Sequence, residues 1–446
     1  MADKIAPEEA GNAATKPLLT GRAIFGATVG NMLEFYDFVT FAFFAIEIGH
    51  AFFPSKSEFT SLTLSLATFG AGFATRPIGG LILGSLADRI GRRPVMMLSF
   101  SMMGGAIIVL ALTPPYSMIG IAAPAIAIAA RMVQGFSLGG EVGSTTAYLM
   151  EAAAIRHRAL AVSWQPASQQ IAATAGAFVG FVLSLVMTNA ALDAYGWRIA
   201  FLLGAAILPF GLWVRSRMPE TLHLAEAGAK VAEVAQAVGR RADLLKSSAR
   251  IIVLGLLVLA SGTIITYVTN YMTTYAKHTL HVANDLAFAT TLVSNFVGIA
   301  AALLGGWLAD RYGRRPVMIW PQLAAVLMTY PVFLWIVDTR SAWALLGGLG
   351  LLSFIGSIPY SGFYAALIEG LPKPIRGGAF ATIYAFAIAT FGGTAQLVVA
   401  WLIHVTGNAL APAWYLLFAG AIGLIAMALM RETAPVKLAL ETADLR

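Results

Sequence analysis

The chain has 446 residues, 58% of them hydrophobic and 11% charged, with 29 Lys and Arg against 22 Asp and Glu and no cysteine. A soluble domain carries roughly 25% charged residues, so the composition excludes one and points to lipid as the surrounding medium. Disulfides, thiolate metal sites and cysteine nucleophiles are excluded with the cysteines.

Residues 1–21 carry Asp3, Glu8 and Glu9 without a long apolar core, and read as a cytoplasmic tail rather than a signal peptide. Apolar runs long enough to span a bilayer, about 20 residues each, follow near 22–46, 61–87, 94–113, 118–149, 160–188 and 197–214. Residues 215–250 are polar and mixed in charge, and read as a cytoplasmic tether. Six more runs occupy 251–275, 284–310, 316–336, 341–370, 378–404 and 411–430, before a tail of 431–446. The runs are continuously apolar, which favours helices over membrane strands with their alternating pattern. The expectation is an all-α integral membrane protein of twelve helices, bundled as 22–214 and 251–430.

Of the Lys and Arg residues, 23 lie in the tails and loops on the side of residues 89–93, four (Lys56, Arg198, Lys277 and Arg340) lie on the other side, and Arg76 and Arg131 lie inside runs. This is the positive-inside pattern, and it places both termini in the cytoplasm. The net charge of +7 is therefore a mark of topology. A nucleic-acid site would gather its charge with aromatics on one folded domain, so no nucleic-acid partner is expected.

The stretch Gly84-Ser-Leu-Ala-Asp88-Arg-Ile-Gly-Arg92-Arg93-Pro-Val-Met96 returns 222 residues later as Gly306-Trp-Leu-Ala-Asp310-Arg-Tyr-Gly-Arg314-Arg315-Pro-Val-Met318. Glu151 and Arg158 recur as Glu369 and Arg376. Six runs separate the paired loops, so both lie on one side and the halves are parallel copies related by an axis along the membrane normal. The site is then expected between the halves. Asp88 with Arg92, and Asp310 with Arg314, stand four apart at helix ends, where they can pair and hold one side shut; alternatively the arginines only fix topology. Gly80 and Gly84 allow a close helix approach, as do Gly135, Gly139 and Gly143 on the fourth run.

The doubled loop, between the second and third helices of each half, closely resembles the signature loop of the major facilitator superfamily. That resemblance covers the whole chain and implies a secondary transporter with alternating access, no enzymatic chemistry and no cofactor.

Ionisable groups inside a bilayer cost roughly 2.5–3.5 kcal/mol each at a helix centre. Glu34, Asp37, Arg76, Arg131 and Glu141 all fall within apolar runs of the first half. Asn31, Glu34 and Asp37 form one arc on the first helix, and a desolvated carboxyl there is a candidate proton acceptor. The other reading is a fixed ion pair with Arg76 or with a neighbouring helix. Arg131 with Gln134 at i+3 presents a carboxylate-binding fork, or else pairs with Glu141 or Glu34. Gln165, Ser168 and Gln169 share a face of the fifth helix, too polar for lipid and so expected to line a cavity. The second half offers neutral groups at matching depth: Tyr267, Asn270, Tyr360, Ser361 and Tyr364.

The stretches Gly30–Phe38 and Gly72–Gly80 resemble the metabolite:proton symporter family, and Ser163–Gln170 is similar to its citrate and tricarballylate branch, from which Pro166 departs. The resemblance implies uptake of a small carboxylate or zwitterion across a bacterial cytoplasmic membrane. Arg76 and Arg131 would hold the anion, with Asn31, Gln134, Gln165, Gln169 and the second-half groups around it. Glu34, Asp37 or Glu141 would carry the coupling ion, H+ or, near Glu34 and Asp37, Na+. Oxoglutarate, shikimate, betaine or proline remain alternative substrates, and a non-transporting sensor an alternative role. A single chain with both halves is expected to work as a monomer.

Gly135-Phe-Ser137-Leu-Gly139 matches a hydrolase nucleophile pattern, but it lies in a helix rather than a strand-to-helix turn. No Gly-Lys dipeptide occurs, which removes a phosphate-binding loop and ATP-driven transport. The six histidines form no pair at metal-binding helical spacing.

Overall fold

The computed structural model describes residues 21–438 except 91, 140–145, 147, 148, 151, 152, 217–243, 245 and 373–375. Among these residues all regular structure is helical. The first half begins with α1 (Gly21–Phe43) and α2 (Ala45–Phe52), bent by 73° at Phe44. Then come α3 (Glu58–Ala74), α4 (Arg76–Ile90), α5 (Arg92–Leu112), α6 (Ala122–Ser137), α7 (Arg158–Val186) and α8 (Trp197–Ser216). The second half comprises α9 (Ala249–His278), α10 (Asn284–Tyr312), α11 (Arg314–Thr339), α12 (Ala342–Gly370), α13 (Arg376–Ala387), α14 (Gly393–Thr406) and α15 (Ala411–Leu429). Among the described residues nine helical stretches are long and apolar enough to cross a membrane, and the bent pair α1–α2 makes a tenth. The fourth and sixth expected positions hold α6 and α8.

The outer surface is apolar, with Trp343 83% exposed and Leu81 76% exposed. In water such a surface would aggregate; against lipid tails it is the matched one. Polar groups turn inward instead: Arg131, Gln134, Gln165 and Ser168 are fully buried.

The interface between the halves has two matching seams. Helix α7 packs along α10, while α3 packs on α14 and α4 on α13. The sequence offsets carry residues 58–90 onto α10 and α7 onto α13–α14, so exchanging the halves turns one seam into the other. That is the two-fold relation expected of parallel copies. Glycines permit both approaches. A Cβ at Gly70 would come 2.6 Å from the Gly393 carbonyl oxygen, and one at Gly306 2.7 Å from the Ser163 hydroxyl.

Within the first half, the glycines of the fourth run press α6 against α3 and α4. A Cβ at Gly135 would overlap the Gly72 carbonyl oxygen, and one at Gly139 the Arg76 carbonyl oxygen. At the break between α3 and α4, the Thr75 hydroxyl donates to the Met132 carbonyl at 2.7 Å, tying the kink to α6.

Gly135→Ala should therefore lower the melting temperature in lipid or detergent, with overpacking costing about 1–3 kcal/mol. Gly105→Ala, where a Cβ would meet open space, should be neutral or gain up to about 1 kcal/mol of helix preference. Equal melting temperatures for the two variants would contradict the glycine seam.

Candidate functional site

Helix α1 places Asn31, Asp37, Phe38 and Phe41 toward α6 and α7. Asp37 is 1% exposed, and neither carboxylate oxygen has a hydrogen-bond partner among the described residues. Its Oδ2 stands 3.6 Å from Arg131 Nη1, close enough for an ion pair without a hydrogen bond. The same Nη1 donates to Gln134 Oε1 at 2.6 Å, one helical turn along α6. Arg76 begins α4, just beyond the Thr75 break, and is 5% exposed. Nε and Nη2 of both arginines lack hydrogen-bond acceptors among the described residues.

Aromatic rings replace much of the lost hydration. The guanidinium carbons of Arg76 and Arg131 each lie 4.5 Å from the Phe38 ring centre, with Phe73 at 4.5 Å from Arg76 and Phe41 at 4.6 Å from Arg131. Desolvated cation–π contacts of this kind contribute about 2 kcal/mol each. Phe38 also packs on Phe69 and Phe73, at 4.8 and 4.4 Å between centres, and Tyr267 of α9 closes the cluster 5.3 Å from Phe73. The Tyr267 hydroxyl has no hydrogen-bond partner among the described residues.

Beyond Tyr267 lies a cavity of about 150 Å³ between the halves. Gln169, Tyr267, Asn270, Tyr360 and Tyr364 line it, and no charged residue does among those described. Gln169 Nε2 donates to the Tyr384 hydroxyl at 2.9 Å, and Gln170 Nε2 to the Ser357 hydroxyl at 3.1 Å, so the polar face of α7 reaches across to α13 and α12. The expected site thus divides in two. Neutral groups line the cavity, whereas Arg76, Arg131, Gln134, Asn31 and Gln165 stand outside its lining, with Tyr267 at the boundary. Asn31 Nδ2 donates to the Ser168 hydroxyl at 2.6 Å and ties α1 to α7. The Ser361 hydroxyl donates to the Ala302 carbonyl at 2.6 Å, a link between α12 and α10 outside the lining. Glu141 lies outside the described residues, as do the side chains of Glu34, Asp88 and Arg92.

Among the lining residues not singled out from the sequence are Gln170, Tyr384 and Gln322. A signal existed for Tyr384, because the 218-residue offset carries Pro166, in the polar stretch of the fifth helix, onto it. Gln170 follows Gln169 directly and falls off the chosen helical face, and Gln322 is an isolated amide in an apolar helix.

The second copy of the basic loop forms a latch. Asp310 accepts the backbone N–H groups of Ala159 at 3.0 Å and Leu160 at 2.9 Å. A carboxylate from one half thereby caps the helix N-terminus of the other, where unpaired N–H groups and the helix dipole favour negative charge. Arg314, 1% exposed, donates to Asp310 Oδ1 at 2.7 Å and grips both oxygens of Glu369, at 3.0 and 3.2 Å. Glu369 is one of the acids that recur between the halves; its counterpart Glu151 lies outside the described residues. Glu432 accepts the backbone N–H groups of Arg314 at 2.9 Å and Arg315 at 3.0 Å. Burial pushes the Glu432 carboxyl up, but these bonds and those from Thr433 and Ala434 outweigh it and hold it below the usual carboxylate value. At the opposite end the halves meet through Lys277–Glu47 at 2.7 Å, Asn284–Asn189 at 3.1 Å and a Phe59–His404 stack at 3.7 Å.

The family model for the sugar (and other) transporter matches residues 23–438. The chain is 36% identical to the citrate-proton symporter of Salmonella typhi over 423 residues, covering 94% of this chain and 95% of that protein. It is 33% identical to the alpha-ketoglutarate permease of Escherichia coli (strain K12) over 422 residues, covering 93% and 95%. Among solved structures, a D-xylose-proton symporter superposes with a TM-score of 0.74 at 18% identity, over 92% of this chain and 97% of that one.

Asp310→Asn should loosen the latch while preserving its shape. A cysteine placed at buried Ser163, under Gly306, should then react with a maleimide from the basic-loop side about tenfold faster. An unchanged rate would assign Asp310 a purely local role. For Glu432, whose native pKa is depressed, the stabilisation is full above the unfolded value and lost as pH falls through the native one. Glu432→Gln should accordingly flatten the loss of thermal stability as pH falls below the ordinary carboxylate value of 4.5.

Proposed function

The chain belongs to the sugar (and other) transporter family of the major facilitator superfamily, and from that premise we propose that it imports a tricarboxylate of the citrate type together with protons. The observation that carries the reading is a surplus of buried positive donors. Arg76 and Arg131 hold four nitrogen atoms without acceptors beside a single described carboxylate, Asp37. Buried guanidinium stays charged, and its planar fork matches a carboxylate. A neutral sugar would leave those charges uncompensated; a substrate with several carboxylates supplies what both need.

Asp37 suits the coupling role. Its carboxylate is buried, lacks hydrogen bonds and faces Arg131 at 3.6 Å. Taking up a proton neutralises Asp37 and frees Arg131 for the substrate; losing it restores the pair and favours release. Two relatives at 36% identity are named citrate-proton symporters, which supports H+ over the Na+ left open by the sequence. In this reading the protein is a monomer that spans the bacterial cytoplasmic membrane several times, with the basic loops and both termini in the cytoplasm.

A dicarboxylate is the second reading, supported by the alpha-ketoglutarate permease at 33% identity. It would use the same two arginines and leave one fewer carboxylate to place among the cavity hydroxyls and amides.

In proteoliposomes, an inward proton gradient should drive accumulation of citrate or tricarballylate ahead of oxoglutarate and betaine. A sodium gradient alone should not. Absence of uptake for every carboxylate under a proton gradient would overturn the proposal. Arg131→Lys should cut kcat/KM by about 10–150-fold, the 1.5–3 kcal/mol of a hydrogen bond to a charged group. Asp37→Asn should retain citrate exchange yet lose gradient-driven accumulation, and undiminished accumulation would remove Asp37 from the coupling step.

A further inference from the structure

Helix α9 carries Tyr267, Asn270, Thr274 and Lys277, at intervals of three, four and three residues. They form one stripe on a helix face, about 15 Å long at 1.5 Å per residue. Tyr267 and Asn270 line the central cavity, whereas Lys277 lines a second cavity of about 350 Å³ at the end away from the basic loops. Between them Thr274 is fully buried and donates to the Ala42 carbonyl of α1 at 3.4 Å, so the first half covers the middle of the stripe. Parting of the halves at this end would expose a continuous polar track from one cavity to the other.

Across the top of that track lies a single ion pair. Lys277 Nζ donates to Glu47 Oε1 of α2 at 2.7 Å, with the two side chains 7% and 6% exposed. The other Glu47 oxygen has no hydrogen-bond partner among the described residues. The ammonium lies 4.1 Å from the Phe288 ring centre and 5.8 Å from that of Phe44, rings contributed by opposite halves. His50, in the same cavity, is already committed to Asp193 at 2.8 Å.

While the mouth is shut, Lys277 and Glu47 are desolvated and each is compensated by the other, since a buried charge without its partner is strongly destabilising. Opening hydrates both and frees the lysine for another anion. We infer that Lys277 is a carboxylate-binding station at the outer mouth: it holds Glu47 while the mouth is shut and takes a substrate carboxylate when the mouth opens, passing it down the α9 stripe. An ammonium suits an exchange of partners, because its three rotatable donors form a point charge without the fixed fork of arginine. The inference rests on the carboxylate reading of the preceding subsection and adds to it a second, outer site.

The cysteine-free chain makes the test direct. Leu62 lines the same outer cavity and is 3% exposed, so a single Leu62→Cys in oriented vesicles reports opening through its reaction with a membrane-impermeant maleimide. Glu47→Gln and Lys277→Gln should each raise that rate about tenfold. Lys277→Gln should also raise the KM for citrate at least tenfold, with the maximal exchange rate within twofold of the parent, and Lys277→Arg should recover most of the KM. The exchanged pair Glu47→Lys with Lys277→Glu separates latch from station. It should restore slow labelling while leaving KM high, because the cation then sits on α2, off the stripe. Unchanged labelling in both single variants would overturn the latch, and recovery of KM in the exchanged pair would overturn the station. Labelling requires no substrate, so failure of the citrate reading would show separately, as a parent protein that labels normally and takes up no citrate.

Discussion

A guanidinium in the interior of a membrane protein cannot escape its charge by releasing a proton, and the surrounding fold follows from that constraint. Arg131 is fully buried and Arg76 nearly so. The structure answers with one carboxylate at 3.6 Å, one amide at 2.6 Å and the faces of four phenylalanines from α1 and α3. Gly135, Gly139 and the Thr75 hydroxyl serve the same arrangement, since they hold α3 and α4 close against the α6 segment that carries Arg131. Among the described residues the Nε and Nη2 atoms of both and the oxygens of Asp37 remain without hydrogen-bond partners, and on these atoms the proposed binding of a ligand and a proton rests.

The frame around this cluster is symmetric, and the cluster is not. The seam of α7 with α10 and that of α3–α4 with α13–α14 exchange under the two-fold, which is the geometry for two halves rocking about a fixed centre. All of the described charges at the centre belong to the first half, while the cavity beside them is walled by neutral groups, most from the second half. The rocking halves therefore bring unlike chemistry together: one supplies charge, the other supplies hydroxyls and amides that shape the space. Latches at each end are charged and cross between halves, Asp310 onto the α7 N-terminus at one end and Lys277 onto Glu47 at the other.

Features set by local spacing were legible in the sequence. The doubled loop revealed the parallel halves, the i+3 relation of Arg131 and Gln134 became a real hydrogen bond, and Gly135 and Gly139 became a close helix approach, Gly143 lying outside the described residues. Features set by distant partners were not. Gln169 meets Tyr384, and Gln170 meets Ser357, across 215 and 187 residues, and neutral amides and hydroxyls carry no complementary sign by which such partners could be matched. Ser361 and Asn31 illustrate a further limit. The sequence offered both as polar groups within apolar helices, but such a group can tie two helices together as readily as it can line a cavity, and here both side chains hold helices. Depth and direction decide between those roles, and only the packed bundle sets them.

The separation of the charges from the cavity bears on coupling. Phe73, packed on Arg76, and Tyr267, which lines the cavity, stand 5.3 Å apart, so this ring pair joins the two parts of the divided site. A ligand shifts a conformational equilibrium only by the difference in its affinity for the two states. Contacts with neutral groups that persist in both states contribute affinity without bias. Tyr267 comes from the second half and the rings it meets, Phe38, Phe69 and Phe73, from the first, so the proposed approach of a substrate to Arg76 or Arg131 involves both halves. Under the proposed reading the bias comes from the anionic groups of the substrate, and a proton on Asp37 strengthens it by removing the carboxylate that competes for Arg131.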